Sequence, residues 1–208
     1  MNIRIYVEGG GDSKELRARC REGFRKLCEK AGFTGHMPAF VAAGPRGQAY
    51  DSFKTAIAQA DENHHPLLLV DSEEPVAGED ASPDSPAAWA HVQGRDGWDR
   101  LAGTANDQAQ LMVTCIETWM MADRATLRAF FGAPLGEHVL LPRDSFESRT
   151  RHEVQQALEL ATRECGPRRM YRKGRRSFQL LTQLNPAVLD SQLPHFRRFV
   201  DTLHRYLD

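Results

Sequence analysis

The sequence predicts an α/β protein built on a mostly parallel sheet that is flanked by helices. Short apolar segments at residues 2–7, 37–42 and 67–70 are typical of strands. Between them, the segments 13–31 and 48–60 carry apolar residues at helical spacing. Strands that alternate with helices favour parallel pairing through right-handed crossovers. The 208 residues suffice for one substantial domain of this class.

The breaks between these elements have clear local signals. The first strand ends in three glycines, 9–11, after which Ser13 is a suitable N-cap for the first helix. Pro38 weakens the start of the second strand, and the segment 44–47 (Gly-Pro-Arg-Gly) separates that strand from the second helix. The third strand, 67–70, is apolar on both faces, as expected at the centre of a parallel sheet.

Residues 72–107 interrupt the regular pattern. They are rich in Asp, Glu, Pro, Ser and Gly, and predict an acidic inserted loop with a short helix near Trp98. A further strand is predicted at 109–116, followed by a short helix and then Asp123, a suitable N-cap for the next helix. We expect residues 1–135 to form the α/β core.

The last third of the chain is predicted to be mostly helical. Helices are expected at 150–164, 177–184 and 194–207, with a basic turn at 167–176. We expect residues 136–208 to pack on the core as a C-terminal extension rather than to form an independent domain.

Composition excludes several classes of protein. The net charge of −1 predicts no partner by itself, so any electrostatic attraction must be local. No apolar stretch approaches the roughly 20 residues of a membrane helix, and we expect no signal peptide and a cytoplasmic location. The four cysteines are scattered without a Cys-x-x-Cys pair, which favours buried reduced thiols over a zinc site. The glycines at 9–11 match neither a P-loop nor the Gly-x-Gly-x-x-Gly pattern.

Acidic residues follow three of the predicted strands. Glu8 follows the first strand, Asp71 the third and Glu117 the fourth, while Asp12 and Glu73 lie close behind the first two. The carboxyl ends of parallel strands share one edge of a sheet, so these acids are expected to converge there. Clustered carboxylates hold hard cations such as Mg²⁺ or Mn²⁺. The alternative is that each acid is an ordinary helix cap or loop residue.

A basic segment lies between two of the C-terminal helices. Such a segment attracts phosphates, Arg binds them bidentately, and an aromatic residue among the cations can stack on a base. The alternatives are a solvated basic turn or an intramolecular partner of the acidic 73–84 loop. The predicted nucleic-acid-binding residues are Arg168, Arg169, Tyr171, Arg172, Lys173, Arg175 and Arg176.

The arrangement of the acids resembles the Toprim fold, a Rossmann-like fold shared by topoisomerases, primases, small ribosomal-RNA maturation nucleases and overcoming-lysogenization-defect nucleases. That family has a Glu after its first strand, which Glu8 matches. It has Asp-x-Asp after its third strand, which Asp71 and Glu73 match with Glu in place of the second Asp. The resemblance implies a Toprim-like core and a magnesium-dependent phosphodiesterase.

The overcoming-lysogenization-defect branch is the more similar one. It adds an acid four residues after the first Glu, which Asp12 matches, and a later Glu-x-aromatic element that Glu117-Thr118-Trp119 resembles. A late Lys also belongs to that branch, and Lys173 is the best candidate for it. Glu8, Asp71 and Lys173 are therefore the predicted catalytic residues. The predicted metal ligands are Glu8, Asp12, Asp71, Glu73 and Glu117.

Nearly the whole chain resembles an uncharacterised bacterial family, domain-of-unknown-function family 4276. The segments that carry this resemblance are 5–9, 69–73, 117–123, 171–173 and 178–181. Members are similar to Toprim proteins and often accompany ATPases of the ABC or SMC type in suspected phage-defence loci. The resemblance implies a nuclease effector subunit that acts on DNA or RNA beside such an ATPase, with homo-oligomers possible.

Two other functions are compatible with the sequence. One is a non-catalytic binding subunit that keeps the fold and docks on an ATPase. The other is an enzyme that acts on a small phosphorylated substrate, which the basic segment disfavours.

Overall fold

The computed structural model describes residues 1–78 and 80–208. Within them, four parallel strands form one sheet with the strand order β2-β1-β3-β4. This confirms the predicted α/β class with a Rossmann-like parallel sheet. The strands are β1 (Asn2–Glu8), β2 (Ala39–Gly44), β3 (His64–Asp71) and β4 (Ala109–Met112).

Nine α-helices occur in the described part of the chain, and none of them is long and apolar enough to cross a membrane. Four short 3₁₀ turns lie at residues 106–108, 137–139, 146–148 and 163–165. The helices are α1 (Lys14–Lys30), α2 (Arg46–Gln59), α3 (Ala87–Asp96), α4 (Ile116–Ala122), α5 (Arg124–Phe131), α6 (Arg151–Thr162), α7 (Arg175–Leu181), α8 (Pro186–Gln192) and α9 (Pro194–Leu207).

The predicted N-caps are present. The Ser13 hydroxyl accepts a hydrogen bond from the Leu16 amide at 3.3 Å. One oxygen of Asp123 accepts from the Thr126 amide at 3.0 Å and the other from the Asn185 amide at 2.9 Å. Asp123 therefore caps α5 and also fixes the start of the C-terminal segment that leads into α8.

Strand β4 is shorter than the predicted segment 109–116. Its neighbour β3 ends at Asp71, which pairs with Met112, so no strand continues beside the residues that follow. The Ile116 amide instead donates to Oδ1 of Asp71 at 2.9 Å, and α4 begins at Ile116. The end of the partner strand thus sets the end of β4.

Helix α8 was not predicted. It begins at Pro186, which cannot donate a backbone hydrogen bond and therefore suits the first helical position. The Asn185 side chain caps the helix by accepting from the Ala187 amide at 3.1 Å. Asn-Pro thus starts a helix here, where the sequence analysis treated it only as a break.

Alternate residues of the strands point into two apolar layers. On one face, Ile3, Ile5 and Val7 of β1 pack with α1 and with the C-terminal helices in a single buried cluster. On the other face, Tyr6 of β1 packs in a second cluster with residues from α2 and α3. The two predicted stretches, 1–135 and 136–208, therefore share one continuous core.

The predicted insertion packs against the second face of the sheet. Helix α3 lies at 87–96, slightly before the helix predicted near Trp98. Trp89 contacts Phe53 with ring centroids 6.0 Å apart, and Trp98 stacks on Tyr50 at 4.4 Å. Both tryptophans therefore pack against α2.

Arg198 joins α9 to the insertion. Its side chain is 2% exposed, and its guanidinium donates to backbone carbonyl oxygens rather than to a carboxylate. Nη2 donates to the Asn106 oxygen at 2.8 Å, and Nη1 donates to the Ser82 oxygen. Both terminal nitrogens of the buried guanidinium thus have carbonyl acceptors in the 82–106 segment, while Nε has no partner among the described residues. These bonds connect α9 to that segment.

Candidate active site

The carboxyl ends of β1 and β3 bring three carboxylates together. Glu8 is the last residue of β1 and Asp71 the last residue of β3, while Glu73 follows two positions later. One side-chain oxygen from each of the three lies within 4.8 Å of the other two. We call these residues the acid cluster.

The backbone at Glu73 is held in an unusual conformation. Its φ of 69° lies in the left-handed region, which costs a residue with a Cβ about 1–2 kcal/mol. The Glu73 amide donates to the Thr114 carbonyl at 2.8 Å, so the segment after β3 is tied to the segment after β4. Strain of this kind tends to occur at functional sites, and here it accompanies the placement of Glu73 beside Glu8 and Asp71.

Asp71 is the buried member of the cluster, with 3% exposure. Its Oδ1 accepts from the Ile116 amide at 2.9 Å, which fixes the carboxylate. Burial, and next the negative charge of Glu8, raise the pKa of Asp71 to about 7. Asp71 is therefore only partly ionised near neutral pH, and a bound cation would favour its ionised form.

Lys173 reaches the acid cluster from the basic segment. Its Nζ lies 3.4 Å from Oδ2 of Asp71, although the side chain remains 49% exposed. Burial lowers the pKa of Lys173, but the charges of Asp71 and Glu117 outweigh that effect and raise the pKa overall. Lys173 is thus a protonated amine with one side on the acids and the other toward solvent.

The structure does not bring Glu117 or Asp12 into the acid cluster. Glu117 is fully buried beneath it, and its Oε1 accepts from the Tyr171 hydroxyl at 2.7 Å. Its charge still contributes to the raised pKa of Asp71. Asp12 is exposed on the loop before α1. Neither residue belongs to the group of described side chains whose geometry could hold a metal ion.

The prediction that Tyr171 stacks on a base is wrong. Its ring is 2% exposed, and its hydroxyl lies 2.7 Å from both Glu117 Oε1 and Ser177 Oγ. Burial and the charge of Glu117 raise the pKa of Tyr171 well above its ordinary value, so the hydroxyl stays protonated and donates. An aromatic residue among arginines cannot by sequence alone be assigned to solvent or to the core.

Three arginines that the sequence analysis did not single out contact the acid cluster. Arg46 lies 3.5 Å from Glu8 Oε2, and Asp96 holds its guanidinium with contacts of 2.6 and 3.1 Å. Arg151 pairs with Glu73, and Arg95 lies 3.9 Å from the same carboxylate. Each acid of the cluster therefore has a cationic neighbour within the chain.

The sequence carried only a weak signal for these arginines. Arg46 lies two residues after the end of β2, at the sheet edge where the acids lie, so its position in the 44–47 break was a usable hint. Arg95 and Arg151 lie in α3 and α6, and only the tertiary fold brings them to Glu73.

The other arginines of the basic segment stabilise the turn or line a groove, and Arg176 does both. Arg169 donates to the Phe131 carbonyl at 3.0 Å, and Arg176 donates to the Arg169 carbonyl at 2.6 Å, so both also stabilise the turn. Arg168 is exposed on that turn, and its carbonyl accepts from Arg176. A groove of about 320 Å³, which we call the basic groove, is lined by Arg172, Lys173, Arg175, Arg176 and Gln179.

Among the described residues of the acidic loop, none forms an ion pair with the basic segment. Asp84 pairs with Arg205 of α9 at 2.8 Å and not with the basic segment. Arg172 and Arg175 of the basic groove are exposed beside Lys173.

A protein-family model described as "Domain of unknown function (DUF4276)" matches residues 7–204. The chain belongs to the DUF4276 family. The match covers the acid cluster, Lys173 and the basic groove, and runs from β1 into α9. No curated protein and no solved structure matched the chain.

The acid cluster of this DUF4276 protein fits a hard divalent cation. Ligand oxygens around an octahedral Mg²⁺ at ~2.1 Å lie about 3 Å apart when adjacent and about 4 Å apart when opposite. The cluster oxygens lie within 4.8 Å of one another, so small side-chain rotations bring them to these distances. Glu8, Asp71 and Glu73 are the residues that would hold the ion.

Tyr171→Phe should destabilise this DUF4276 protein by about 1–3 kcal/mol, because the buried Glu117 carboxylate loses a hydrogen-bond donor. Urea unfolding measures the change. Tyr6→Phe is the matched control, since the Tyr6 hydroxyl has no hydrogen bond with the described residues, and it should change stability by much less. Equal effects of the two substitutions would contradict a structural role for the Tyr171–Glu117 contact.

Proposed function

We propose that this protein is a divalent-metal-dependent nuclease of Toprim-like type that hydrolyses phosphodiester bonds of DNA or RNA. The observation that carries the proposal is the acid cluster with Lys173 beside it: three carboxylate oxygens within 4.8 Å, and an ammonium 3.4 Å from one of those carboxylates. Carboxylates that hold a cation next to a lysine suit a phosphate, because the site then offers positive charge from two sides.

The residues have distinct roles in this proposal. Glu8, Asp71 and Glu73 would hold Mg²⁺ or Mn²⁺, which would supply an activated water and stabilise charge on the phosphate. Lys173 meets a non-bridging phosphate oxygen with its exposed side, while the basic groove binds the flanking backbone. Glu117 accepts the hydrogen bond of the Tyr171 hydroxyl and so positions the chain two residues before Lys173.

We further propose that the protein is the effector subunit of a cytoplasmic anti-phage system and works with an ATPase of the ABC or SMC type. This part of the proposal rests on the resemblance of the sequence segments described above.

A non-catalytic accessory subunit is the second candidate function. The observation that favours it is that Arg46, Lys173 and Arg151 already neutralise the three acids of the cluster. A protein with such pairs can keep its fold without a metal and bind nucleic acid or an ATPase without cutting.

A cleavage assay separates the two functions. The full chain, alone and with the ATPase encoded beside it, is incubated with labelled single-stranded DNA, duplex DNA and RNA in Mg²⁺, Mn²⁺ or EDTA. We expect cleavage in the metal-containing samples and none in EDTA. Intact substrate under every condition, with binding detected by fluorescence anisotropy, would instead establish the accessory role.

A further inference from the structure

A pocket of about 290 Å³ opens beside the acid cluster. Glu8, Asp71 and Lys173 line it together with groups that carry no charge. Its apolar walls include Leu16, Ile116 and Phe178, and the glycine turn at 9–11 and the polar Ser177 also line it. We call it the apolar pocket. Nothing in the phosphate chemistry proposed above accounts for an apolar cavity at this point.

The glycine wall of the apolar pocket is rigidly placed. Gly10 has a φ of 83°, and a Cβ there would lie 2.8 Å from the Arg17 Cα, so only glycine is accommodated. Arg17 Nε donates to the Gly11 carbonyl at 2.9 Å, which ties the loop to α1. Contacts within the chain therefore fix this wall of the pocket, and a ligand would not have to order it on binding.

Size limits what the apolar pocket can hold. Its volume is close to the lower end of the range of about 300–1,000 Å³ for small-molecule sites, so one nucleotide unit fits and a duplex does not. A ligand with flat, largely apolar faces and polar edges matches this pocket, because the apolar side chains suit its faces and the glycine backbone suits its edges. A nucleobase has this chemistry.

The position of Lys173 connects the apolar pocket to the basic groove. Lys173 lines both cavities, and its Nζ is the cation next to Asp71. A strand whose phosphate lies on Lys173 can therefore place a base in the apolar pocket on one side and its backbone in the basic groove on the other.

We propose that the apolar pocket binds one unpaired nucleobase, that of the nucleotide whose phosphate meets Lys173. The substrate is then single-stranded nucleic acid, or a duplex with a frayed end or an extruded base. This inference deepens the proposed function and rests on it for the location of the phosphate, but base binding can be measured without cleavage.

Calorimetry with deoxyadenosine 5′-monophosphate and 2-deoxyribose 5-phosphate, in Mg²⁺, tests the pocket directly. Because a buried base adds favourable contacts, we expect the nucleotide to bind about tenfold more tightly than the sugar phosphate. Leu16→Trp, which fills the pocket from the first turn of α1, should bring this ratio close to one. Leu160→Trp, at a 40% exposed position of α6, is the matched control and should keep the ratio.

Three results would overturn the inference: equal affinities for the two ligands, no binding of either, or an unchanged ratio in Leu16→Trp. Leu16→Ala, a milder substitution, should lower the ratio without filling the pocket, which guards against misfolding of the Trp variant. If the wild-type ratio is high and no nucleic acid is cut, the nuclease proposal fails while the base pocket stands.

The cleavage assay supplies an independent outcome. Single strands should be cut at least about tenfold faster than the matched blunt duplex, and removing the base at the cleaved position should slow the reaction to a similar extent. Equal rates on all three substrates would overturn the base pocket and leave the nuclease proposal intact.

Discussion

Asp71→Asn should lower metal-dependent cleavage by about 10³-fold, which corresponds to about 4 kcal/mol of transition-state stabilisation. Asp71 is the buried member of the acid cluster, and its carboxylate also faces Lys173. An asparagine keeps the oxygen that accepts from the Ile116 amide but removes the negative charge. The substitution therefore weakens metal binding while it preserves the local fold.

Initial rates over a range of Mg²⁺ concentrations measure this effect. Glu74→Gln is the matched control, because Glu74 lies on the same loop but is exposed and outside the acid cluster. That variant should keep a rate within about twofold of the wild type. If Asp71→Asn cuts as fast as Glu74→Gln, the acid cluster takes no part in cleavage.

The second large effect concerns stability without metal. The free energy of unfolding of the metal-free protein should fall by about 2–4 kcal/mol through Asp71 as the pH rises from about 4 to about 7. Burial and the charge of Glu8 raise the pKa of Asp71 to about 7 in the folded protein. Between the two pKa values the folded state keeps a proton that the unfolded state has lost, so rising pH favours unfolding.

Below about pH 4 the carboxyl is protonated in both the folded and the unfolded state, and above about pH 7 it is ionised in both. The free energy of unfolding therefore falls between these pH values and stays at the lower value above them. A divalent cation should reverse the loss near neutral pH, because it binds the ionised cluster of the folded protein.

Urea unfolding at several pH values, with EDTA or with Mg²⁺, measures both effects. Asp71→Asn cannot lose a proton at this position, so the difference in stability between the variant and the wild type isolates Asp71 from other titrating groups. In EDTA the free energy of unfolding of Asp71→Asn should rise relative to that of the wild type as the pH rises. Mg²⁺ should stabilise the variant less than it stabilises the wild type. A pH-independent difference between the two proteins would show that Asp71 titrates normally.

Local sequence patterns were sufficient to predict most of the fold. Strand β3 is apolar on both faces and lies in the interior of the sheet, and Ser13 and Asp123 cap the helices that follow them. Because each parallel strand ends at the same edge, the meeting of Glu8 and Asp71 also followed from sequence position. Strand β4 ended early because its length depends on β3, which its own residues do not encode.

The surroundings of the acids depended on contacts between distant parts of the chain. Arg151 reaches Glu73 across 78 positions, and nothing near either residue indicates that pairing. Tyr171 looked like a surface aromatic because cations surround it in the sequence, whereas the buried Glu117 is its actual partner. The three glycines at 9–11 gave a better local signal: they predicted a turn after the first strand, and all three have positive φ values.

The buried Arg198 has a consequence for the order of events during synthesis. Every residue of the acid cluster, and Lys173, precedes α9 in the chain, yet α9 fills the core beside β4 and Arg198 satisfies the carbonyls of the 82–106 segment. A nascent chain that has emerged only to α7 therefore lacks part of the core that supports its strands. We expect the ribosome-bound intermediate to hold its strand ends loosely, so that the site matures only after the polypeptide through α9 has emerged.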